Sequence, residues 1–324
     1  MYEKKCGEEM AKSEVLVYLV LGLLESGKTS LITQFVEKAK FSSTEKSLII
    51  ACEEGIEGYD ADFLSQVGAE IIYLEKEEEL TTEFLDRCET KYRPDKVYIE
   101  MNGIWNLALF NEVELPKTWF IAKNICLVDA QQFELQFANM KEYMMMHFRS
   151  ADMIIFNRCS NVLKQNNIKR LIKVANPMAD IVFESLDGKI ILVKEDELPF
   201  DITKDTIEIK LDDYGRWYLD ALEHKEHYVG KKVKMEGFIC YMSPHKCYAF
   251  GRCSMTCCAD DIAFMGFVCV GDNLERVKNQ CWGEMIGYLE YIKTGKGDEE
   301  RICVVIESFR PTKMPEDHLV YFTY

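Results

Sequence analysis

The chain has no basic excess, no membrane-length apolar run and no export pattern, and each absence removes a class of function. With 39 lysines and arginines against 55 aspartates and glutamates, its formal charge is −16. Non-specific nucleic-acid binding needs cations that displace counterions from phosphates, so nucleic acid is not an expected partner. The longest uninterrupted apolar stretch after Lys12 runs from Val15 to Leu24, with Gly22 inside it. That is too short to cross a bilayer and lacks a signal-peptide cleavage pattern, so the expectation is a cytoplasmic chain without a transmembrane segment. Thirteen cysteines, an odd number, in such a compartment point to reduced thiols rather than a disulfide framework. Internal repeats and low-complexity segments are also missing.

What is present divides at about residue 200, into expected domains of 1–200 and 201–324. Up to there, strand-like runs (Leu48 to Ala51, Ile71 to Leu74, Val97 to Ile99, Ile121 to Val128, Met153 to Phe156, Ile190 to Val193) alternate with helix-like segments such as Glu77 to Tyr92 and Lys164 to Val174. The alternation predicts an α/β domain with a mostly parallel sheet. After Pro199 the strand candidates Lys231 to Ile239, Met265 to Val270, Glu284 to Tyr291 and Ile302 to Phe309 are separated by Gly, Pro and Asp turns. They predict a smaller all-β barrel or sandwich, entered through a short helix over Asp212 to Leu222.

The most specific signal is Gly22-Leu23-Leu24-Glu25-Ser26-Gly27-Lys28-Thr29, a complete Gly-x4-Gly-Lys-Thr phosphate loop. It lies between the buried strand candidate Val15 to Leu21 and a helix-like segment with Leu31, Phe35 and Ala39 on one face. Backbone N–H groups of such a loop, with the helix N-terminus behind them, cradle phosphate oxygens. Gly22, Glu25, Ser26, Gly27, Lys28, Thr29 and Ser30 are therefore expected to touch a nucleotide, with Lys28 on the β and γ phosphates and Thr29 on Mg²⁺.

Further motifs follow in an order that resembles the CobW-type GTPases, relatives of the urease and hydrogenase maturation GTPases that deliver metal ions. Cys52-Glu53-Glu54-Gly55 through Asp60 is similar to that family's Asn-Glu-x-Gly-x4-Asp, Glu100-Met101-Asn102-Gly103 to its Glu-x-x-Gly, and Val128-Asp129-Ala130 to its Val-Asp-Ala. The resemblance covers residues 15 to 200 and implies a P-loop NTPase that binds GTP or ATP with Mg²⁺. Glu100, at a strand end beside the loop, suits a Mg²⁺ ligand, and Gly103 suits an N–H donor to the γ phosphate. Glu53 and Asp60 are candidates for holding the metal or orienting the attacking water. The alternatives are a helix-capping acid for Glu100 and a turn residue for Asp60.

Two family features are missing. Where the family reads guanine with Asn-Lys-x-Asp, this chain has Asn157-Arg158-Cys159-Ser160. Asn157 and Arg158 remain to meet the base, but Ser160 lacks the carboxylate that guanine's N–H groups prefer. Charge-assisted hydrogen bonds contribute roughly 1.5–3 kcal/mol each, so discrimination against ATP is expected to weaken. The family's Gly-Cys-x-Cys-Cys metal loop is replaced by Leu74-Glu75-Lys76-Glu77.

Eight of the thirteen cysteines fall between Cys240 and Cys303. His245, Cys247, Cys253, Cys257 and Cys258 form a candidate Zn²⁺ ligand set, since thiolate and imidazole are zinc's preferred donors. Buried packing of free thiols and a local disulfide remain the alternatives. Over residues 205 to 310, Tyr214-Gly215-Arg216-Trp217-Tyr218-Leu219-Asp220, Gly251-Arg252 with Thr256-Cys257-Cys258-Ala259-Asp260, and Trp282 to Gly287 resemble the C-terminal domain of YcgQ-like proteins, thought to be companions of a permease family. Trp217, Tyr218 and Trp282 are expected in the core.

Together these readings predict a slowly hydrolysing nucleotide switch, GTP-preferring, for a metal-handling metalloprotein partner or a membrane permease. Peripheral membrane attachment through that partner and a homodimer stay open. The competing readings are a non-hydrolysing nucleotide-binding adaptor and a zinc-binding or zinc-sensing protein for a transporter.

Overall fold

The computed structural model describes residues 14–42, 45–53, 55, 58–110, 112–160, 163–194, 196–243, 245–255, 262–272, 274, 280–293 and 300–321. The chain divides into two compact units, Met1–Leu163 with Met178–Leu192 and Lys164–Pro177 with Val193–Tyr324. In chain order the first part holds β1 (Val15–Leu21), α1 (Lys28–Ser42), β2 (Ser47–Ala51), α2 (Ala61–Val67), β3 (Ala69–Tyr73), α3 (Thr82–Tyr92), β4 (Lys96–Glu100), α4 (Leu107–Phe110) and β5 (Trp119–Asp129). There follow α5 (Phe133–Asn139), α6 (Lys141–Ser150), β6 (Met153–Cys159), α7 (Gln165–Ala175) and β7 (Asp180–Ser185).

The seven strands form one parallel sheet in the order β3-β2-β4-β1-β5-β6-β7. Strand order changes direction around β1, so the crevice beyond the carboxyl ends of β1, β4 and β5 is where such a sheet binds ligands. α1 packs Ile32 and Val36 against Val20, Ile49, Tyr98, Ile125 and Leu127. Its most buried stripe is thus Ile32, Val36 and Ala39, while Leu31 and Phe35 are only partly covered, one residue around from the expected face.

Two sequence expectations are corrected here. Ile190 to Val193 is no strand; Ile190 makes a single antiparallel bridge to Glu184, and the seventh strand is β7. An apolar run needs a sheet edge to pair with, and without one Ile190 and Leu192 stay exposed. The segment Glu77 to Tyr92 is not one helix. It splits into a 3₁₀ turn at Glu77–Glu79 and α3, because the Thr81 hydroxyl accepts the Phe84 N–H at 3.2 Å and caps a new start.

The second unit contains β8 (Thr206–Glu208), α8 (Tyr214–Glu223), β9 (Lys232–Met242), β10 (Cys247–Met255), β11 (Ile262–Gly271), β12 (Gln280–Lys293), β13 (Glu300–Pro311) and β14 (Val320–Tyr321). β9 pairs with β10, β10 with β11, β11 with β13, β13 with β12, and β12 with β9. That circuit closes a five-strand barrel, antiparallel except for β11 and β13, which is the pairing of an OB-type barrel. Of the two architectures expected, the barrel is the one formed. Trp217, Tyr214, Tyr228, Phe250 and Met285 fill it, and Trp282 is also buried.

Helix α7 precedes residue 200 yet groups with the second unit. Val174 packs on the barrel core, Lys169 and Lys173 pair with Glu223 of α8 at 3.2 and 3.3 Å, and Arg170 pairs with Asp196 at 2.9 Å. No helix of the described residues is long and apolar enough to cross a membrane.

Candidate nucleotide site

The loop between β1 and α1 takes the conformations its sequence permits. Gly22 and Gly27 have φ of +135° and +98°, and a Cβ on Gly22 would sit 2.4 Å from the Leu127 carbonyl oxygen. Lys28 is 2% exposed and folds back over the loop, donating to the carbonyls of Gly22 at 2.9 Å and Leu23 at 3.0 Å.

Its ammonium also pairs with the Glu53 carboxylate, whose other oxygen accepts the Gly103 N–H at 3.2 Å. Lys28 and the Gly103 N–H are the two groups expected to hold the end of a triphosphate. They converge on one anion, and that anion belongs to the protein itself. Gly103 must be glycine for this approach, since a Cβ would lie 2.8 Å from Leu23 Cα.

Beside this pair, the Thr29 hydroxyl donates to Glu100 Oε1 at 2.8 Å and the Tyr59 hydroxyl donates to Glu100 Oε2 at 2.5 Å. Glu100 ends β4 and is buried. Burial pushes its carboxyl above the ordinary range, and the hydrogen bonds from Tyr59 and Thr29 and the charge of Lys28 pull it back. Cys52, which stands where the family has Asn, is held strongly protonated, first by burial and then by Glu100 and Glu53.

A cleft of ≈ 370 Å³ opens over these groups, lined by Leu24, Gly27, Thr29, Ser30, Glu53, Glu100 and Arg158 among others. An adjoining cavity of ≈ 820 Å³ shares Leu24, Glu53 and Gln136 with it and is lined further by Cys52, Leu74, Glu75 and Gly103. Glu53 therefore borders both, and its side chain has room to leave Lys28.

Asn157 and Arg158 reach the loop from the end of β6. Asn157 Nδ2 donates to the Ser26 carbonyl at 2.7 Å, while Arg158 donates to the Glu25 carbonyl at 3.2 Å and pairs with Asp129 at 2.7 Å. Both are brought to the loop, where they brace its backbone. Asp60 is elsewhere: its carboxylate accepts the Phe63 N–H at 2.7 Å and caps α2, and it is not among the cleft-lining residues. An acid just before a helix start is captured by the unsatisfied N–H groups of the first turn.

Sequence reasoning missed Tyr59, Gln132, Gln136 and the Arg158 partnership of Asp129. Tyr59 stands next to a motif acid, the one signal that pointed to it. The two glutamines come from α5 and its N-cap, a segment without strong periodicity.

Behind the loop, His147 of α6 is 1% exposed and its Nε2 is buried without a hydrogen-bond partner. Burial first, then the Lys28 charge, lowers its pKa from 6.5 to about 4. The unfolded chain takes up this proton at higher pH than the native state does, so its titration costs nothing above neutrality. Native stability should fall by about 3 kcal/mol as pH drops from 6.5 to 4. Urea unfolding of wild type and His147→Asn at pH 7 and pH 4.5 checks this: the variant should show the shallower loss.

In the second unit, His245 is exposed in the turn before β10, Cys247 begins β10 opposite Met242, and Cys253 lies within β10 opposite Phe264. Cys257 and Cys258 lie outside the described residues. Among the described residues His245, Cys247 and Cys253 form no group of three metal-capable atoms, and every described cysteine is free.

Residues 16–183 match the CobW/HypB/UreG nucleotide-binding domain, and residues 193–322 match the DUF1980 C-terminal domain. A comparison with curated proteins finds no match. Among solved structures, hydrogenase maturation factor HypB from Archaeoglobus fulgidus is similar at 18% identity over 53% of this chain and 82% of that one, with a TM-score of 0.41. HypB from Helicobacter pylori in complex with nickel shows 18% identity, coverage of 54% and 79%, and a TM-score of 0.36. Zn(II)-bound YjiA GTPase from E. coli shows 13% identity, coverage of 90% and 93%, and a TM-score of 0.45. Since the family match spans over half of the 324 residues and contains the loop, Glu100 and Gly103, the chain belongs to the CobW/HypB/UreG nucleotide-binding family.

Proposed function

We propose that the first unit binds a nucleoside triphosphate with Mg²⁺, prefers GTP, hydrolyses it slowly, and uses its nucleotide state to switch contacts with a metal-handling or permease partner. The observation that carries the reading is the convergence of Lys28 Nζ and the Gly103 N–H on one carboxylate, with Thr29 and Glu100 joined beside it. Glycines at 22 and 103, where a Cβ would clash with Leu127 O and Leu23 Cα, let the loop backbone and the Gly103 N–H approach this closely. Thr29 and Glu100 are the residues that would hold Mg²⁺, which when bound neutralises charge on the phosphates.

In this reading Lys28 and the loop N–H groups offset the charge that develops on the γ phosphate. Gly103 reports that the phosphate is present, because its N–H changes partner from Glu53 to the ligand. The released Glu53 carboxylate is then free to orient water. Arg158 is the cleft-lining arginine among the described residues, and its pairing with Asp129 leaves no guanidinium for the γ phosphate. Turnover is therefore slow without a partner.

The competing adaptor reading draws on the same Arg158 pairing and differs in one observable. Phosphate release that requires Mg²⁺ and is lost in Glu100→Gln supports hydrolysis, whereas tight binding without release supports the adaptor. Glu53→Gln tests the exchange itself. With the internal anion neutralised, Mg-GTP should bind about tenfold tighter, equivalent to ~1.4 kcal/mol, and turnover should drop. Unchanged affinity in calorimetric titration would remove Glu53 from the proposal.

A further inference from the structure

The C-terminal end of α8 runs into a 3₁₀ turn at Lys225–His227, for which His224 is the N-cap. Side chains three residues apart eclipse in a 3₁₀ turn, and the His227 N–H closes it on the His224 carbonyl at 3.0 Å. The two imidazoles accordingly lie face to face, with centroids 5.1 Å apart and planes 23° from parallel. The Glu226 carboxylate, between them in sequence, reaches His224 Nδ1 at 3.1 Å. One ligand atom from each of His224, Glu226 and His227 falls within 4.8 Å of the others.

A fourth residue fixes the geometry. His227 Nδ1 is 2.8 Å from Asp220 Oδ2, and that oxygen also accepts the hydroxyl of Tyr228 at 2.6 Å. Tyr228 is fully buried in the barrel core, so the carboxylate is tethered to rigid structure. Donating Nδ1–H to Asp220 leaves the His227 lone pair on Nε2. This is the carboxylate–histidine arrangement that orients ligating imidazoles in metal proteins.

We propose that His224, Glu226 and His227 bind a divalent transition-metal ion of the zinc class, with Asp220 as the positioning residue for His227. Two imidazoles and a carboxylate suit zinc, cobalt or nickel and disfavour Mg²⁺ and Ca²⁺, which take oxygen ligands. Three protein ligands leave a fourth position open, as in sites that exchange or act on what they hold. Zinc bonds of about 2.0–2.2 Å require the ligand atoms to close in by about 1 Å. Side chains 26%, 65% and 25% exposed at 224, 226 and 227 can make that adjustment by rotation. The site is separate from the cysteines and uses no residue of the nucleotide cleft.

Co²⁺ is the probe, added to the full reduced chain, its stoichiometry read by equilibrium dialysis and its ligands by absorption spectra. Wild type should bind one more equivalent than His224→Gln/His227→Gln, and the difference spectrum should lack sulfur-to-cobalt charge transfer. Asp220→Asn should keep that equivalent while weakening it 10–100-fold. The double variant should melt at the wild-type temperature in chelator, which separates ligand loss from misfolding. Equal stoichiometry in wild type and the folded double variant would overturn the site, and so would a lost equivalent that carries the thiolate band.

Discussion

Lys28→Ala is expected to weaken Mg-GTP and Mg-ATP binding at least a hundredfold and to abolish measurable phosphate release. The side chain is nearly fully buried and spends its donors on two loop carbonyls and on Glu53. Exchanging that carboxylate for phosphate oxygens keeps the charge-assisted bonds, which contribute roughly 1.5–3 kcal/mol each, so deleting two of them loses about 3 kcal/mol or more. The substitution also strands Glu53, only 9% exposed, without its cation. Unpaired buried charge is destabilising, so the melting temperature should fall as well. Lys28→Ala/Glu53→Gln separates the effects: stability should return toward wild type while affinity stays low. Calorimetric titration of both variants decides, and a single variant that binds within threefold of wild type would refute the phosphate assignment.

The second large effect is on the barrel. Arg252→Met should destabilise the second unit by about 3–5 kcal/mol. Arg252 is 1% exposed and its guanidinium satisfies the backbone carbonyls of His318 (2.9 Å), Leu319 (3.4 Å) and Leu211. It also lies over the rings of Tyr214 and Trp282, at 5.4 and 5.7 Å from their centroids. Methionine keeps the aliphatic volume but takes the guanidinium donors from the His318 and Leu319 carbonyls and leaves the Leu211 carbonyl only the Tyr214 N–H; a buried hydrogen bond left unmade costs about 1–3 kcal/mol. Arg252→Lys should recover only part of the loss, because one ammonium cannot reproduce the planar fork. Denaturant unfolding followed through the fluorescence of Trp217 and Trp282 provides the measurement. A Met variant with an unchanged midpoint would show that the guanidinium network contributes nothing.

The same residues explain the spaced motifs that tie residues 205 to 310 to YcgQ-like proteins. Tyr214, Arg252 and Trp282 are one stack, and Trp217 sits beside Tyr214 at 5.2 Å. Tyr218 stacks on Phe267 at 4.8 Å. Tyr214 and Trp217 belong to the barrel core, Tyr218 packs against it, and Arg252 and Trp282 are buried. Cys253, read at first beside metal ligands, occupies a strand whose central residues Ala249 to Arg252 are buried.

Local features were legible from sequence because their cause is local. Eight contiguous residues spell the phosphate loop, and glycines with positive φ at two places and a helix that begins at Lys28 shape it, with Glu25 also left-handed at φ +64°. Apolar runs of β-branched residues announced six of the seven parallel strands. Ile190 to Val193 misled because hydrophobicity alone does not say whether a partner strand is available. The equal-looking segment Ile181-Val182-Phe183 had one, pairing with Ile154, Ile155 and Phe156.

Sequence by itself determined that a nucleotide loop opens a parallel α/β sheet, that Glu100 and Gly103 belong beside it, and that a separate β domain follows. Only the tertiary structure decided what those groups do to one another. Glu53 on Lys28 and Gly103, Tyr59 on Glu100, the closure of β9 on both β10 and β12, the grouping of α7 with the barrel, and Asp220 behind His227 are its contributions. Most of these are contacts between residues far apart in the chain, 50 positions for Glu53 and Gly103 and 41 for Tyr59 and Glu100. No pattern within a single helix or strand encodes such pairs. They arise when packing removes water from several polar groups at once, and each must then find whichever partner the fold has placed within reach.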